Sequence, residues 1–181
     1  MEQIRIHGRG GQGVVTAAEL IALAAFYDGH EAQAFPNFGV ERSGAPIQSY
    51  ARISEQAIIT REQVYQPTIL IIQDNTLLNS QMDLLLKGVQ QNTKIIINAS
   101  KNIWPELEQL TKYIYCTPAT EVALKILGKN IVNTVILGAL IKYTGVITLD
   151  SLKKAIHTKF AGKKADLISK NIKAVSLIGK I

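Results

Sequence analysis

Alternation between apolar and polar positions marks the start of the chain. Residues 3–7 (QIRIH) set Ile4 and Ile6 against polar neighbours, the period-two pattern of a strand with one buried face. A glycine-rich stretch follows. Residues 14–29 (VVTAAELIALAAFYDG) then predict a helix that is apolar on most faces, with Ala17, Ala18, Ala24 and Ala25 allowing close packing on a sheet and Asp28-Gly29 ending it. Residues 31–35 (EAQAF) predict a second strand. Residues 47–54 (IQSYARIS) alternate again, with Ile47, Ser49, Ala51 and Ile53 on one face, and residues 56–60 (QAIIT) predict an antiparallel partner after the turn at Ser54-Glu55.

The pattern then changes. Residues 68–74 (TILIIQD) and 93–100 (TKIIINAS) are continuous apolar runs ending in polar residues, as expected of parallel strands buried on both faces. Between them LLNSQMDLLLKGV predicts a crossover helix closing near Gly88, and KYIYC (112–116) a last strand. From Thr117 on, the periodicity is helical. Thr117 is the expected cap with Pro118 at the first helical position and Gly128 as the stop, and IVNTVILGALIKYTG predicts one buried helix. Two amphipathic helices complete the chain, with stripes at Leu149, Leu152, Ile156 and Phe160, and at Leu167, Ile172 and Val175. The expected fold is α/β: a single Rossmann-like domain over 1–181, with a mixed, mostly parallel sheet in 1–116, helices on both faces, and a helical part in 117–181.

Composition narrows the function classes. Of 181 residues 47% are hydrophobic and 19% charged, which fits a packed globular chain and not a disordered one. The net charge of +6 is local: residues 1–149 balance 12 basic against 12 acidic side chains, and the excess lies in the lysines after Asp150. Those lysines lie along amphipathic helices without Arg, and Phe160 is their one aromatic neighbour, a poor design for nucleic acid. The one cysteine, Cys116, excludes an internal disulfide and a cysteine-ligated cluster built by this chain alone. His7, His30 and His157 show no ligand spacing, so no metal site is expected. No basic-then-apolar leader opens the sequence and no apolar run reaches the ~18–20 residues of a membrane span, so a soluble cytoplasmic protein is expected, away from membranes and nucleic acid.

The glycine stretch HGRGGQGVV carries the first candidate chemistry. Gly8, Gly10 and Gly13 have the G-x-G-x-x-G spacing between a strand and a helix. Such a loop brings an anionic group close to backbone amides at the positive end of a helix. The same glycines serve a tight turn that packs on another chain. A dinucleotide site also needs an acidic residue closing the second strand, which here ends in Phe35-Pro36-Asn37, with Glu31 at the wrong end. A stand-alone NAD(P)-binding dehydrogenase and a structural adaptor without ligand remain alternatives. The second stretch, AFPNFGVERSGAP (34–46), sets Phe35 and Phe38 beside Glu41 and Arg42 ahead of Ser43 and Gly44, content suited to an interface anchor or a ligand rim, or to a buried loop with a local ion pair.

RIHGRGGQGVVTAAELIALAAFYDG followed by QAFPNFGVERSGAPIQSYARIS resembles the gamma subunit of 2-oxoacid:ferredoxin oxidoreductases, nearest the pyruvate and 2-oxoisovalerate branch. The resemblance is dense over the first ~60 residues and continues in element order, including PAT at 118–120. Related subunits often carry a basic residue or glycine where this chain has Ser43. The resemblance implies a non-catalytic subunit that works with thiamine-binding alpha and beta subunits and an iron–sulfur delta subunit. The complex would use thiamine diphosphate, Mg2+, 4Fe–4S clusters and coenzyme A, and pass electrons to ferredoxin. No GDG-type diphosphate motif is present in this chain. On this reading Gly8, Arg9, Gly10, Gly11, Gln12 and Gly13, with Arg42, contact phosphates of coenzyme A or carboxylates of a partner. Phe35, Phe38, Glu41, Arg42, Ser43 and Gly44 form the interface, which also offers the isolated subunit a route to a homodimer.

Four further residues complete the set. Cys116 ends a strand beside a helix start, a place that can lower a thiol pKa, but it has no identifiable His or Asp partner and is expected to be an inert buried cysteine. His7 lines the crevice or packs in the core. Asp74 and Asn98 stand at the carboxyl ends of parallel strands, where ligands of open sheets bind, and each also suits a helix cap.

Overall fold

The structure, a computed structural model, describes residues 1–37 and 44–180. Phe38, Glu41, Arg42 and Ser43 lie outside the described residues. Six strands form one sheet in the order β2-β3-β1-β4-β5-β6. They are β1 (Glu2–Arg9), β2 (Glu31–Pro36), β3 (Pro46–Ser54), β4 (Ile69–Ile72), β5 (Lys94–Asn98) and β6 (Ile114–Thr117). β3 pairs antiparallel with both β1 and β2, while β4, β5 and β6 extend β1 in parallel. Five strands therefore point one way and β3 alone returns.

Alternation along each strand sorts its side chains into two apolar layers. Ile4 and Ile6 of β1, Ala51 and Ile53 of β3 and Ile69 and Ile71 of β4 face a core shared with five helices. These are α1 (Val14–Tyr27), α3 (Ala119–Leu127), α4 (Leu137–Thr144), α5 (Leu149–Lys159) and α6 (Ala165–Ile178). Ala17, Ala18, Ala24 and Ala25 of α1 are fully buried, as their small size allows against a sheet. Leu70 and Ile72 of β4 and Ile95 and Ile97 of β5 face the other layer, closed by α2 (Thr76–Leu86), Trp104 and a short 3-10 helix at Pro105–Gln109. Truncating a fully buried Leu20 or Leu77 would cost about 2–5 kcal/mol.

Four sequence expectations are corrected. Residues 56–60 form no strand; Ile59 is 89% exposed, and the carbonyl of Ile58 accepts from the Gln33 side chain. The helix predicted from Ile131 begins only at Leu137, because the β-branched Ile131, Val132, Thr134, Val135 and Ile136 resist helical side-chain packing and the segment forms turns first. Thr117 belongs to β6, and Pro118 takes the cap position of α3, whose Thr120 N–H is instead received by Asn98 Oδ1 at 3.0 Å. Leu167 is 38% exposed and not core; α6 buries Asn171, Ala174, Val175 and Ile178.

Between β3 and the neighbouring layers lies a polar interior that alternation alone reads as solvated. Arg5 is 5% exposed and donates to the carbonyls of Val64, Tyr65, Leu85 and Lys87. Arg52 is 1% exposed and donates to Gln3 Oε1 and the carbonyls of Glu62 and Gln63. Burial pushes both guanidinium pKa values down. Residues 62–65, which follow the segment that forms no strand, are thus fixed by arginine side chains in place of a ladder.

Candidate functional site

Chain direction reverses between β1 and β4: α1 leads from β1 toward β2 on one side, and α2 leads from β4 toward β5 on the other. In open α/β sheets ligands bind in the crevice beyond the carboxyl ends of strands at such a point. The glycine stretch sits there. Gly11 and Gly13 have φ of 91° and 71°, a region that L side chains avoid. A Cβ on Gly13 would also lie 2.4 Å from Asn133 Nδ2.

One carboxylate organises the loop. Asp74, just past β4, accepts from Arg9 Nε at 3.2 Å and Gln12 Nε2 at 2.8 Å through one oxygen, and from the Thr76 N–H at 3.1 Å and the Thr76 hydroxyl through the other. Gln12 Oε1 receives the Arg9 N–H, so the Gln12 carboxamide bridges the loop backbone to β4. Arg9 also donates to the Gly44 carbonyl at 3.2 Å and to Thr76 Oγ1 at 2.9 Å. Burial alone would raise the Asp74 pKa; the hydrogen bonds from Thr76 and Gln12 and the Arg9 charge outweigh it and hold the carboxyl below its ordinary value. Asp74 is therefore ionised at neutral pH and the Arg9 guanidinium is engaged on three sides.

Backbone bonds close the other wall. The Gly10 N–H donates to the Ala45 carbonyl at 2.8 Å, and the Gly44 N–H to the Gly10 carbonyl at 3.0 Å. The Gln12 N–H returns to Arg9. Among the described residues the Gly11 and Gly13 amides have no partner and α1 has no side-chain cap, so these amides and the positive end of the helix dipole are unclaimed there. Where a dinucleotide enzyme has a second parallel strand ending in an acid, this crevice meets residues 44–46, which lead into antiparallel β3. Glu31 lies at the far end of β2, two strands from β1. Among the described residues no acid closes β2 to serve as the ribose-binding group of the dehydrogenase alternative.

The remaining candidates separate. Phe35 is half-buried, with its ring 5.1 Å from that of Tyr50 and 5.1 Å from the Arg52 guanidinium carbon. It is fixed on the β3 face beside an exposed rim at Arg61 and Gln63. Gly44 belongs to the crevice through Arg9 and Gly10. His7 is 2% exposed; burial and the Arg5 charge push its pKa down to about 3, so it is a neutral core group. Burial pushes the Cys116 thiol up, so the nearby helix start does not activate it. Asn98 caps α3 through its oxygen and ties Thr120 and the Gln73 carbonyl through its amide.

Asp74 and Asn98, expected at ligand-binding strand ends, line a cleft of about 420 Å³ that runs from Gln12 past the ends of β4, β5 and β6 and whose other lining residues the sequence did not single out. Gln73, Asp74 and Asn75 follow β4, Ala99 and Ser100 follow β5, and Pro118 and Thr120 follow β6. The polar residues that end the two apolar runs were the available signal.

Comparison with known proteins bears on this geometry. The sequence profile described as pyruvate ferredoxin/flavodoxin oxidoreductase matches residues 3–179. Pyruvate synthase subunit PorC of Methanocaldococcus jannaschii is 45% identical over 177 residues, covering 98% of this chain and 94% of that protein. The pyruvate/ketoisovalerate oxidoreductases common subunit gamma of Thermococcus litoralis is 43% identical, covering 96% and 93%. The crystal structure of pyruvate oxidoreductase subunit PORC from Thermotoga maritima superposes with a TM-score of 0.82 at 30% identity, covering 99% of this chain and 95% of that one.

Proposed function

We propose a function from one established premise: the chain belongs to the pyruvate ferredoxin/flavodoxin oxidoreductase family. Within that family it is a gamma-type, non-catalytic subunit of an oxidoreductase that acts on 2-oxoacids. Similarity along nearly the whole chain carries this assignment. The finer reading is that its partners are thiamine-binding alpha and beta subunits and an iron–sulfur delta subunit of a cytoplasmic complex reducing ferredoxin, with pyruvate as the 2-oxoacid. All 181 residues serve as one gamma-type unit in it.

The residues of this chain do not fit a 4Fe–4S cluster, which takes four cysteines where the sequence has one. They do fit the anionic part of coenzyme A, whose thiol supplies the acyl acceptor when bound. Asp74 and Arg9 hold the loop in shape before any ligand arrives, and the Gly11 and Gly13 amides with the start of α1 then receive a phosphate without further ordering. Arg9 neutralises Asp74, so that carboxylate does not repel the incoming anion. Gly8, Gly10 and Gln12 shape the turn. Arg42 and Glu41 would add charge, and Phe35 and Phe38 an apolar anchor for the thiamine-binding subunits.

The test substitutes Arg9→Ala and Arg42→Ala, singly and together, in the reassembled complex and measures the Michaelis constant for coenzyme A beside complex yield. The reading predicts a raised constant with assembly preserved. An unchanged constant with weakened assembly would leave the loop an interface element only.

A further inference from the structure

β2 is the last strand on its side of the sheet, and its outer edge pairs with nothing among the described residues. Its register with β3 decides which peptide groups face outward. The Asn37 N–H donates to the Gln48 carbonyl at 3.1 Å, one step beyond the Pro36–Ser49 pair. Bonded and unbonded pairs alternate in an antiparallel ladder, so Glu31, Gln33 and Phe35 turn their peptide groups toward β3. Ala32, Ala34 and Pro36 turn theirs away. The N–H and C=O groups of Ala32 and Ala34 thus form an open row beside a groove of about 750 Å³, lined by residues 32–37, Arg61 and Gln63. No lysine and no bulge interrupt β2, the devices that commonly blunt an edge.

The row is complementary to itself. In an antiparallel pair of two copies centred on Gln33, each Ala32 lies opposite the other copy's Ala34, and every outward N–H and C=O of both alanines finds a partner. The adjacent registers fail. Centring on Ala34 sets Ala32 opposite Pro36, which has no N–H. Centring on Ala32 sets Ala34 opposite His30, whose N–H is already given to the Ala25 carbonyl. Charge favours the same register. It brings exposed Glu31 of one copy opposite Phe35 of the other, on the sheet face where Gln33 and Arg52 hold residues 58–63 and where exposed Arg61 flanks the strand. Opposite charges meet in this way on both sides of the two-fold axis.

We propose that β2 is a docking edge for a second copy of this chain, which joins the two six-stranded sheets into one across a two-fold axis at Gln33. A single strand pair is a small interface, so the dimer forms in a concentration-dependent way. The inference rests neither on coenzyme A nor on the glycine loop.

Sedimentation velocity of the full chain from about 1 µM to 0.5 mM tests the association, with monomer expected at the low end and dimer at the high end. Ala34→Pro removes an outward N–H and leaves the β3 ladder intact, since an edge strand accepts proline there. It should weaken the dimer by about tenfold or more with the thermal midpoint retained. Glu31→Lys, at an exposed position, should weaken it also and serves if the proline variant does not fold; adding Arg61→Glu should restore it. Register is read by cross-linking in a Cys116→Ser background. Gln33 pairs with itself at a Cα separation of about 4.5 Å, so Gln33→Cys should give a disulfide-linked dimer on mild oxidation and Glu31→Cys should not. A dimer unaffected by both Ala34→Pro and Glu31→Lys, or one that Gln33→Cys fails to link, would overturn the proposal. So would a chain that stays monomeric throughout, which would leave the edge to a strand of another subunit.

Discussion

Asp74→Asn isolates the group on which the site's order depends. The substitution keeps the shape of the side chain and removes its charge. If Asn Oδ1 stays with Thr76, Nδ2 lies against Arg9 Nε and Gln12 Nε2, donor against donor, where the carboxylate accepted at 3.2 and 2.8 Å. Two hydrogen bonds are lost, one of them the ion pair with a guanidinium 31% exposed. A neutral bond contributes about 1 kcal/mol, and solvent screening holds a partly exposed charged one near the same value, so the loss is about 2 kcal/mol. For a chain of this size that lowers the thermal midpoint by about 4–8 °C at neutral pH. The pH dependence fixes the sign. The folded pKa of Asp74 lies below its unfolded value, so the carboxylate's contribution is complete above about pH 4 and disappears as pH falls through the folded pKa. Scanning calorimetry of both proteins from pH 7 downward should therefore show a gap that closes in acid. Equal midpoints at pH 7, or a gap that persists unchanged in acid, would refute the reasoning.

Two other substitutions follow from the same geometry. Gly88→Ala combines a φ of 78° with a Cβ 1.9 Å from the Tyr65 carbonyl, which Arg5 holds in place; a loss of about 3 kcal/mol or more in urea unfolding is expected, and less than about 1 kcal/mol would contradict it. His7, with its pKa near 3, should show no imidazole titration by NMR between about pH 8 and 5. Because the unfolded chain takes up that proton below about pH 6.5 and the folded one does not, stability should fall by about 1.4 kcal/mol per pH unit on acidification, and His7→Gln should remove that slope.

The sequence made the buried strands legible because continuous apolar runs such as Ile69–Ile72 admit few other arrangements. It made α1 legible through its alanines and glycine stop. It did not reveal that Arg5 and Arg52, alternating with Ile4, Ile6, Ala51 and Ile53, are buried: the same alternation describes a face in water and a face whose cations are received by distant carbonyls. Residues 56–60 form no hairpin with β3 because β1 and β2 already occupy both of its edges, and the Ile58 carbonyl is received by the Gln33 side chain instead. In the site, glycine spacing located the loop, but the Arg9–Asp74–Gln12 arrangement joins residues about 65 apart in sequence and depends on β4 lying beside β1. Asp74 was visible as a residue at a strand end. Its partners were not.

This chain is a gamma-type, non-catalytic subunit of a 2-oxoacid oxidoreductase, and turnover is expected to need its presence in the complex. The most direct test co-expresses it with its complex partners and measures pyruvate- and coenzyme A-dependent reduction of a viologen dye by the purified assembly, with and without this chain. The account predicts co-purification, activity only in the complete assembly, and none from the chain alone. Full activity of the assembly lacking it, or turnover by the isolated chain, would contradict the account.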